Sequence, residues 1–134
     1  MNIDKYLRDV SLIDSKIANK TYELEMCMEI AEGSGIGYGE RVQASGSQSK
    51  MADAVIKYAD IEQEIEELRA EKRLFIKRIE QLPRNYYIVL HDVYIKGLTQ
   101  TESERMNHKK PSWGSTTHAR AKKELIKVIE NESR

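Results

Sequence analysis

Cysteine is almost missing from this chain. Cys27 stands alone, which excludes an internal disulfide framework and suits a reducing cytosol. Proline is scarce too, with two in 134 residues, and a third of the side chains are charged, a composition that reads as mostly helical and soluble. No apolar run approaches the roughly 20 residues of a membrane span. Asp4, Lys5, Arg8 and Asp9 interrupt any apolar core near the N-terminus, so no secretory signal and no membrane partner are expected, and the cytoplasm is the expected location. Net charge is missing as well: 22 Lys and Arg balance 22 Asp and Glu, so the total points to no partner.

Chemistry-bearing constellations are equally sparse. His91, His108 and His118 lack metal-ligand spacing with one another or with Cys27, so no zinc site and no cofactor is expected. No Ser/His/Asp set, paired carboxylates or nucleotide fingerprint stands in a suitable context, and catalysis is not expected. The run Gly33-Ser-Gly-Ile-Gly-Tyr-Gly39 looks superficially like a phosphate-binding loop, but it closes a helix and no strand precedes it.

What is present is a long seam. Over residues 51–82 two apolar rows recur in sevens: Met51, Tyr58, Ile65, Lys72, Ile79, and Ala54, Ile61, Leu68, Phe75, Leu82. Such a 3-4 alternation is the signature of a coiled coil, here a rod of about 48 Å at roughly 1.5 Å per residue. Lys72 alone breaks it, either as a register device or with its stem snorkelling to water. Residues 3–31 predict a second long helix, with Ile3, Val10, Ile17, Leu24 and Ala31 in register, flanked by Tyr6, Leu7, Ile13, Cys27 and Met28. Leu12, Tyr22, Met26 and Ile30 widen its apolar stripe beyond what one partner helix can cover. Five of the seven glycines fall in residues 33–50, which reads as a flexible connection, so the two helices predict an antiparallel hairpin over 1–82. The surplus apolar surface predicts a homodimer through this hairpin, two hairpins making a four-helix bundle.

Beyond Pro83 the pattern changes to short helices. Residues 84–96 carry Tyr86, Tyr87, Leu90, Val93 and Tyr94, with Gly97 as a natural stop. Thr99 and Glu102 fit a capping box that opens a helix of about two turns. Residues 107–111 form a polar turn, and Ser112 is placed to cap a last helix whose inward row is Trp113, Thr117, Ala121, Leu125 and Ile129. Three helices, the second short, with a turn before an amphipathic third, are the layout of a helix-turn-helix over 83–134. The opposite face of the third helix offers Ser112, Ser115, Thr116, Ala119, Arg120 and Lys123 as base-reading residues in a major groove; Ser and Thr let the helix sit deep and Arg can bond guanine bidentately. Arg105, Lys109, Lys110 and Lys122 are the candidate phosphate contacts. From Arg105 to Lys123 there are six basic residues and no acidic one, and residues 84–134 as a whole carry 10 basic and 6 acidic side chains against 12 and 16 in residues 1–83. Trp113 reads as a core anchor and His118 as a boundary or phosphate contact.

Leu82-Pro83-Arg84, Tyr94-Ile-Lys-Gly-Leu-Thr99, Glu102 and His118-Ala-Arg-Ala-Lys-Lys-Glu-Leu125 together resemble the region 4 helix-turn-helix of bacterial sigma factors. More closely, the chain resembles the RinA/ArpU-like regulators of late genes in phages of Gram-positive bacteria; Val42-Gln-Ala-Ser-Gly46 and Lys50-Met-Ala-Asp53 are similar to stretches of such proteins. The resemblance spans nearly the whole chain through short motifs. It implies an all-α, double-stranded-DNA-binding transcriptional regulator of a phage or integrated element in a bacterial host. Because sigma region 4 also contacts RNA polymerase, it equally permits an adaptor that docks polymerase or another host or element protein. Two departures stand out. Ser103-Glu104 replaces an apolar residue followed by Ala, leaving Met106 as the expected core contact of the short helix, and Gly114 replaces a Val. So thin a core predicts a domain that is marginal by itself.

Overall fold

The computed structural model describes residues 1–31 and 44–134, excepting the side chains of residues 31 and 44–49. The described residues are all-helical, in the order α1 (Ile3–Ser11), α2 (Ile13–Ala31), α3 (Ala44–Ile79), α4 (Arg84–Tyr94), α5 (Gln100–Met106) and α6 (Trp113–Glu132). None of these helices is long and apolar enough to cross a membrane.

The first expected helix is two. Leu12 closes α1 with its N–H shared between the Arg8 and Asp9 carbonyls at 3.2 Å each, while the Ser11 hydroxyl donates to Arg8 O at 2.7 Å. The Thr21 hydroxyl takes Ile17 O in the same way at 2.7 Å within an unbroken α2, so the Ser11 bond accompanies the break without by itself causing it. The expected connection over 33–50 also differs from what is found. Residues 33–43 lie outside the described residues, whereas 44–50 form the first turns of α3, consistent with only one of the seven glycines, Gly46, falling there. At its other end α3 stops at Ile79, and residues 80–82 wind on through tightened bonds such as Leu82 N to Ile79 O at 3.0 Å.

The chain divides into two compact units, Asp14–Arg69 and the pair of segments Met1–Ile13 with Ala70–Arg134. In the first unit Cys27, Ile61 and Ile65 are buried with Ile17, Leu24 and Tyr58 packed on them, so the heptad rows of α2 and α3 do meet here. Lys20 pairs with Glu64 across the same two helices.

The second unit holds a larger core of Leu7, Val10, Phe75, Ile79, Leu82, Val89, Leu90, Ala121 and Leu125. Residue 83 therefore lies beside a continuous core, in which α1 and residues 70–79 of α3 cover α4 and α6. At the far end of α6, Glu132 accepts a forked pair of bonds from Arg78, at 2.7 and 3.1 Å, and Arg78 also donates to the Tyr6 hydroxyl at 3.0 Å. Thr99 and Glu102 form the reciprocal capping box at 3.0 Å each way, and these bonds hold the Glu102 carboxyl below its usual range. Gly97 takes φ +76°, a conformation that a glycine adopts without strain.

The expected core contact of α5 is corrected. Met106 is 60% exposed, and the helix's inward contact is Ser103, fully buried. Its hydroxyl donates to Asp92 Oδ2 at 2.8 Å, and the same carboxylate takes Asn107 Nδ2 at 3.1 Å and Lys96 Nζ at 3.3 Å. A buried carboxylate served by three donors replaces the apolar contact, and no buried side-chain nitrogen or oxygen among the described residues lacks a partner.

Gly114 has a physical reason as well. A Cβ built there would lie 2.4 Å from the Gln100 carbonyl oxygen, inside contact distance, so α6 approaches α5 as only glycine allows. Helix propensity alone favours Gly114→Ala by about 1 kcal/mol, whereas forcing a methyl against backbone costs typically 1–3 kcal/mol and more when nothing can move. Gly114→Ala is expected to lower stability by about 1–2 kcal/mol net, read as a fall in the thermal midpoint followed by circular dichroism; a rise would mean that the approach is not tight in solution.

Candidate nucleic-acid interface

The six residues expected to form a reading face are all exposed: Ser112, Ser115, Thr116, Ala119, Arg120 and Lys123. They occupy one side of α6 because the other side is bound into the core, with Thr117, His118, Ala121 and Leu125 buried and Trp113 and Ile129 packed at its margin. The face is short-chained at its centre and cationic at its C-terminal half. Neither Arg120 nor Lys123 is in an ion pair with a described residue.

The start of α6 is built differently from the expected Ser112 cap. Ser112 sits in the left-handed region at φ 75° and its side chain makes no cap bond. The first-turn amide of Gly114 instead donates to Glu104 Oε1 at 2.9 Å, so the cap comes from α5. Glu104, a mere departure in sequence, is thereby engaged on backbone at the start of the basic window, as Glu124 at its end pairs with Lys127.

The expected phosphate contacts separate into two kinds. Arg105, Lys109 and Lys110 are exposed. Lys109 lies over the Trp113 ring at 5.6 Å, a cation–π arrangement that leaves part of its hydration intact. Lys122 is different: its ammonium bonds Asp4 Oδ1 at 3.0 Å, so a phosphate there would compete with a carboxylate. Counted by unit, Met1–Ile13 with Ala70–Arg134 carries 16 Lys and Arg against 10 Asp and Glu, and Asp14–Arg69 carries 6 against 12. The unit that owns α6 is thus strongly basic, and the charge contrast is sharper than a division at residue 83 reveals.

Sequence reasoning missed the pair beneath the face. His118 is buried, its Nε2 2.6 Å from the Tyr94 hydroxyl with the rings stacked at a tilt, and Phe75 meets the other side of Tyr94 edge-on. Burial pushes the Tyr94 hydroxyl up to about 12. Burial first, and the nearby Lys122 second, hold His118 below its ordinary value, with Asp4 opposing. An i+4 step from Gly114 to His118 signals nothing in sequence, because its partner is 24 residues away. No cluster of three or more potential metal ligands occurs among the described residues.

Comparison with protein-family models, with curated proteins and with solved structures returned no match.

A His whose folded pKa lies below its unfolded value contributes stability above the unfolded value and loses it as pH falls. Thermal stability is therefore expected to decline as pH falls from about 7 toward 5, straddling the ordinary histidine value of about 6.5. His118→Gln, which can still bond Tyr94, is expected to flatten that decline. His91 is shifted the same way by burial and Lys96, so the flattening is partial. An unchanged pH profile for the variant would mean that His118 is not neutral and buried in solution.

Proposed function

We propose that this protein is a sequence-specific double-stranded-DNA-binding transcriptional regulator of a phage or integrated element, with α4–α6 acting as a sigma region 4-like helix-turn-helix and α6 entering the major groove. The observation that carries the reading is the coincidence on α6 of an exposed hydroxyl-and-cation face with the absence, among the described residues, of any carboxylate partner for Arg120 and Lys123. The resemblance to the RinA/ArpU-like regulators supports it from motifs elsewhere in the chain. In this reading Ser112, Ser115, Thr116, Ala119, Arg120 and Lys123 meet base edges, while Arg105, Lys109 and Lys110 meet phosphates, and Lys122 contributes only after leaving Asp4. The test is selection of bound duplexes from a randomised pool, followed by titration of the enriched sequence at several salt concentrations. The Arg120→Ala, Lys123→Ala double variant is expected to bind about tenfold or more weakly, with a log–log salt slope flatter by about 1–2 and a relaxed preference. Unchanged binding rejects the assignment of this face.

A second element of the reading concerns association. Tyr22, Met26 and Ile30 recur every four residues on α2 and are 63%, 43% and 46% exposed, and Val55 and Ile56 on α3 are exposed too. That surface favours a protein contact through the helical hairpin, either with a second copy, so that two α6 helices read two half-sites, or with RNA polymerase or another host or element protein in the adaptor reading. Self-association predicts a species of twice the 15.5 kDa chain mass in sedimentation equilibrium at about tens of micromolar. Tyr22→Glu with Met26→Glu should return it to monomer. A wild-type monomer under those conditions removes the homodimer and leaves the adaptor contact to be sought by co-purification.

A further inference from the structure

A cleft of about 660 Å³ opens between the start of α4 and the start of α6. Its walls include Arg84 and Tyr86 from the first turn of α4, Lys110 and Ser112 from the turn before α6, and Trp113 and Arg120 from α6 itself. Three cations from three separate stretches thus converge on one cavity, and no Asp or Glu lines it. Elsewhere in the same unit several cations are neutralised: Arg78 by Glu132, Lys96 by Asp92, Lys122 by Asp4 and Lys127 by Glu124. Arg84, Lys110 and Arg120 have no ion-pair partner among the described residues. Like charges held near one another raise the energy of the empty cleft, and an anion seated between them relieves that repulsion. Ser112 adds to the argument, since its left-handed backbone turns a hydroxyl without a cap bond toward this region, a conformation that costs a non-glycine residue about 1 kcal/mol or more.

We infer that this cleft is a phosphate-binding site, with Arg84 as a ligand that the sequence pattern does not single out. The size suits a phosphate with part of its attached sugar or base, and Arg matches phosphate oxygens in a fork. On the DNA reading above, on which this step rests, the phosphate is a phosphodiester of the duplex backbone. Thr116 and Arg120 belong to both the cleft wall and the exposed face, so a duplex seated on α6 runs its backbone past Arg84. The same chemistry would also accept the phosphates of a free nucleotide, which would then compete with the duplex.

Trp113 lines the cleft and is the only tryptophan in the chain, so intrinsic fluorescence of the full-length protein reports occupancy directly. The protein is titrated separately with the selected duplex and with adenosine triphosphate, for wild type, Arg84→Gln and Arg84→Lys. Arg84 is exposed, so neither variant disturbs the core. The expected result is a Trp113 signal on duplex binding, a uniform loss of about three- to tenfold across sequences in Arg84→Gln with the salt slope reduced by about 1, and a smaller loss in Arg84→Lys, which keeps the charge and the salt slope but not the fork. If the duplex binds and depends on Arg120 and Lys123 but Arg84→Gln changes nothing, the phosphate site is wrong and the DNA reading stands. If the duplex does not bind but adenosine triphosphate moves Trp113 in an Arg84-dependent way, the phosphate site stands and the DNA reading falls. If neither ligand moves Trp113, the inference is overturned.

Discussion

The start of α6 passes so close to α5 that the Gln100 carbonyl oxygen fills the space a side chain at position 114 would need, and the exposed face depends on that approach. Bringing the helices together puts the Gly114 amide within reach of Glu104, which satisfies it at 2.9 Å, and buries Ser103 completely against Asp92. A leucine at 103 would not fit the same spacing, so small residues on both sides and a polar pair behind them are one solution to one geometric condition. With its start pinned and its Ala121 and Leu125 row fixed in the core, α6 has no rotational freedom left. Residues 112, 115, 116, 119, 120 and 123 then face away from the protein by construction.

Charge follows the same division. Several carboxylates within the basic unit are engaged by a backbone group, a buried network or a cation: Glu102 and Glu104 on helix starts, Asp92 on a buried network, Asp4, Glu124 and Glu132 on cations. Among the described residues Arg84, Lys110, Arg120 and Lys123 are in no ion pair, and the first three line one cleft. An excess of unpaired positive charge works against compactness. It is tolerated here because the core beneath it includes Phe75, Ile79, Val89, Leu90 and Leu125, all essentially sealed from water. The core is therefore not thin, as the α4–α6 sequence alone implies; α1 and the last third of α3 complete it.

Periodicity made much of this legible. Of the α3 rows counted in sevens, Ala54, Ile61, Ile65, Phe75 and Ile79 are buried, Tyr58, Leu68 and Lys72 half-buried and Met51 exposed, and the inward row of α6 is as read, because both are properties of one helix and its own repeat. The capping box and the Gly97 stop were legible for the same reason, being set by neighbours within a few residues. What escaped the sequence depends on distant partners. A serine and a glycine look like weaknesses in their own helices until Asp92 and Gln100 are brought to them. Tyr94 and His118 are unremarkable separately and become a bonded buried pair only through packing. The break at Leu12 is local, and no periodic pattern encodes it.

A heptad seam states that a helix is covered along one stripe and leaves open by what. Along α3 the stripe has different occupants: Ile61 and Ile65 lie with Cys27, Ile17 and Leu24, whereas Phe75 and Ile79 lie with Leu7, Val10 and the α4–α6 core. The seam is thus largely occupied by contacts within the chain, although Met51 at its start is exposed. Off the rows, Tyr22, Met26, Ile30, Val55 and Ile56 are apolar and exposed, so the association of two copies proposed above has those positions and Met51 to draw on.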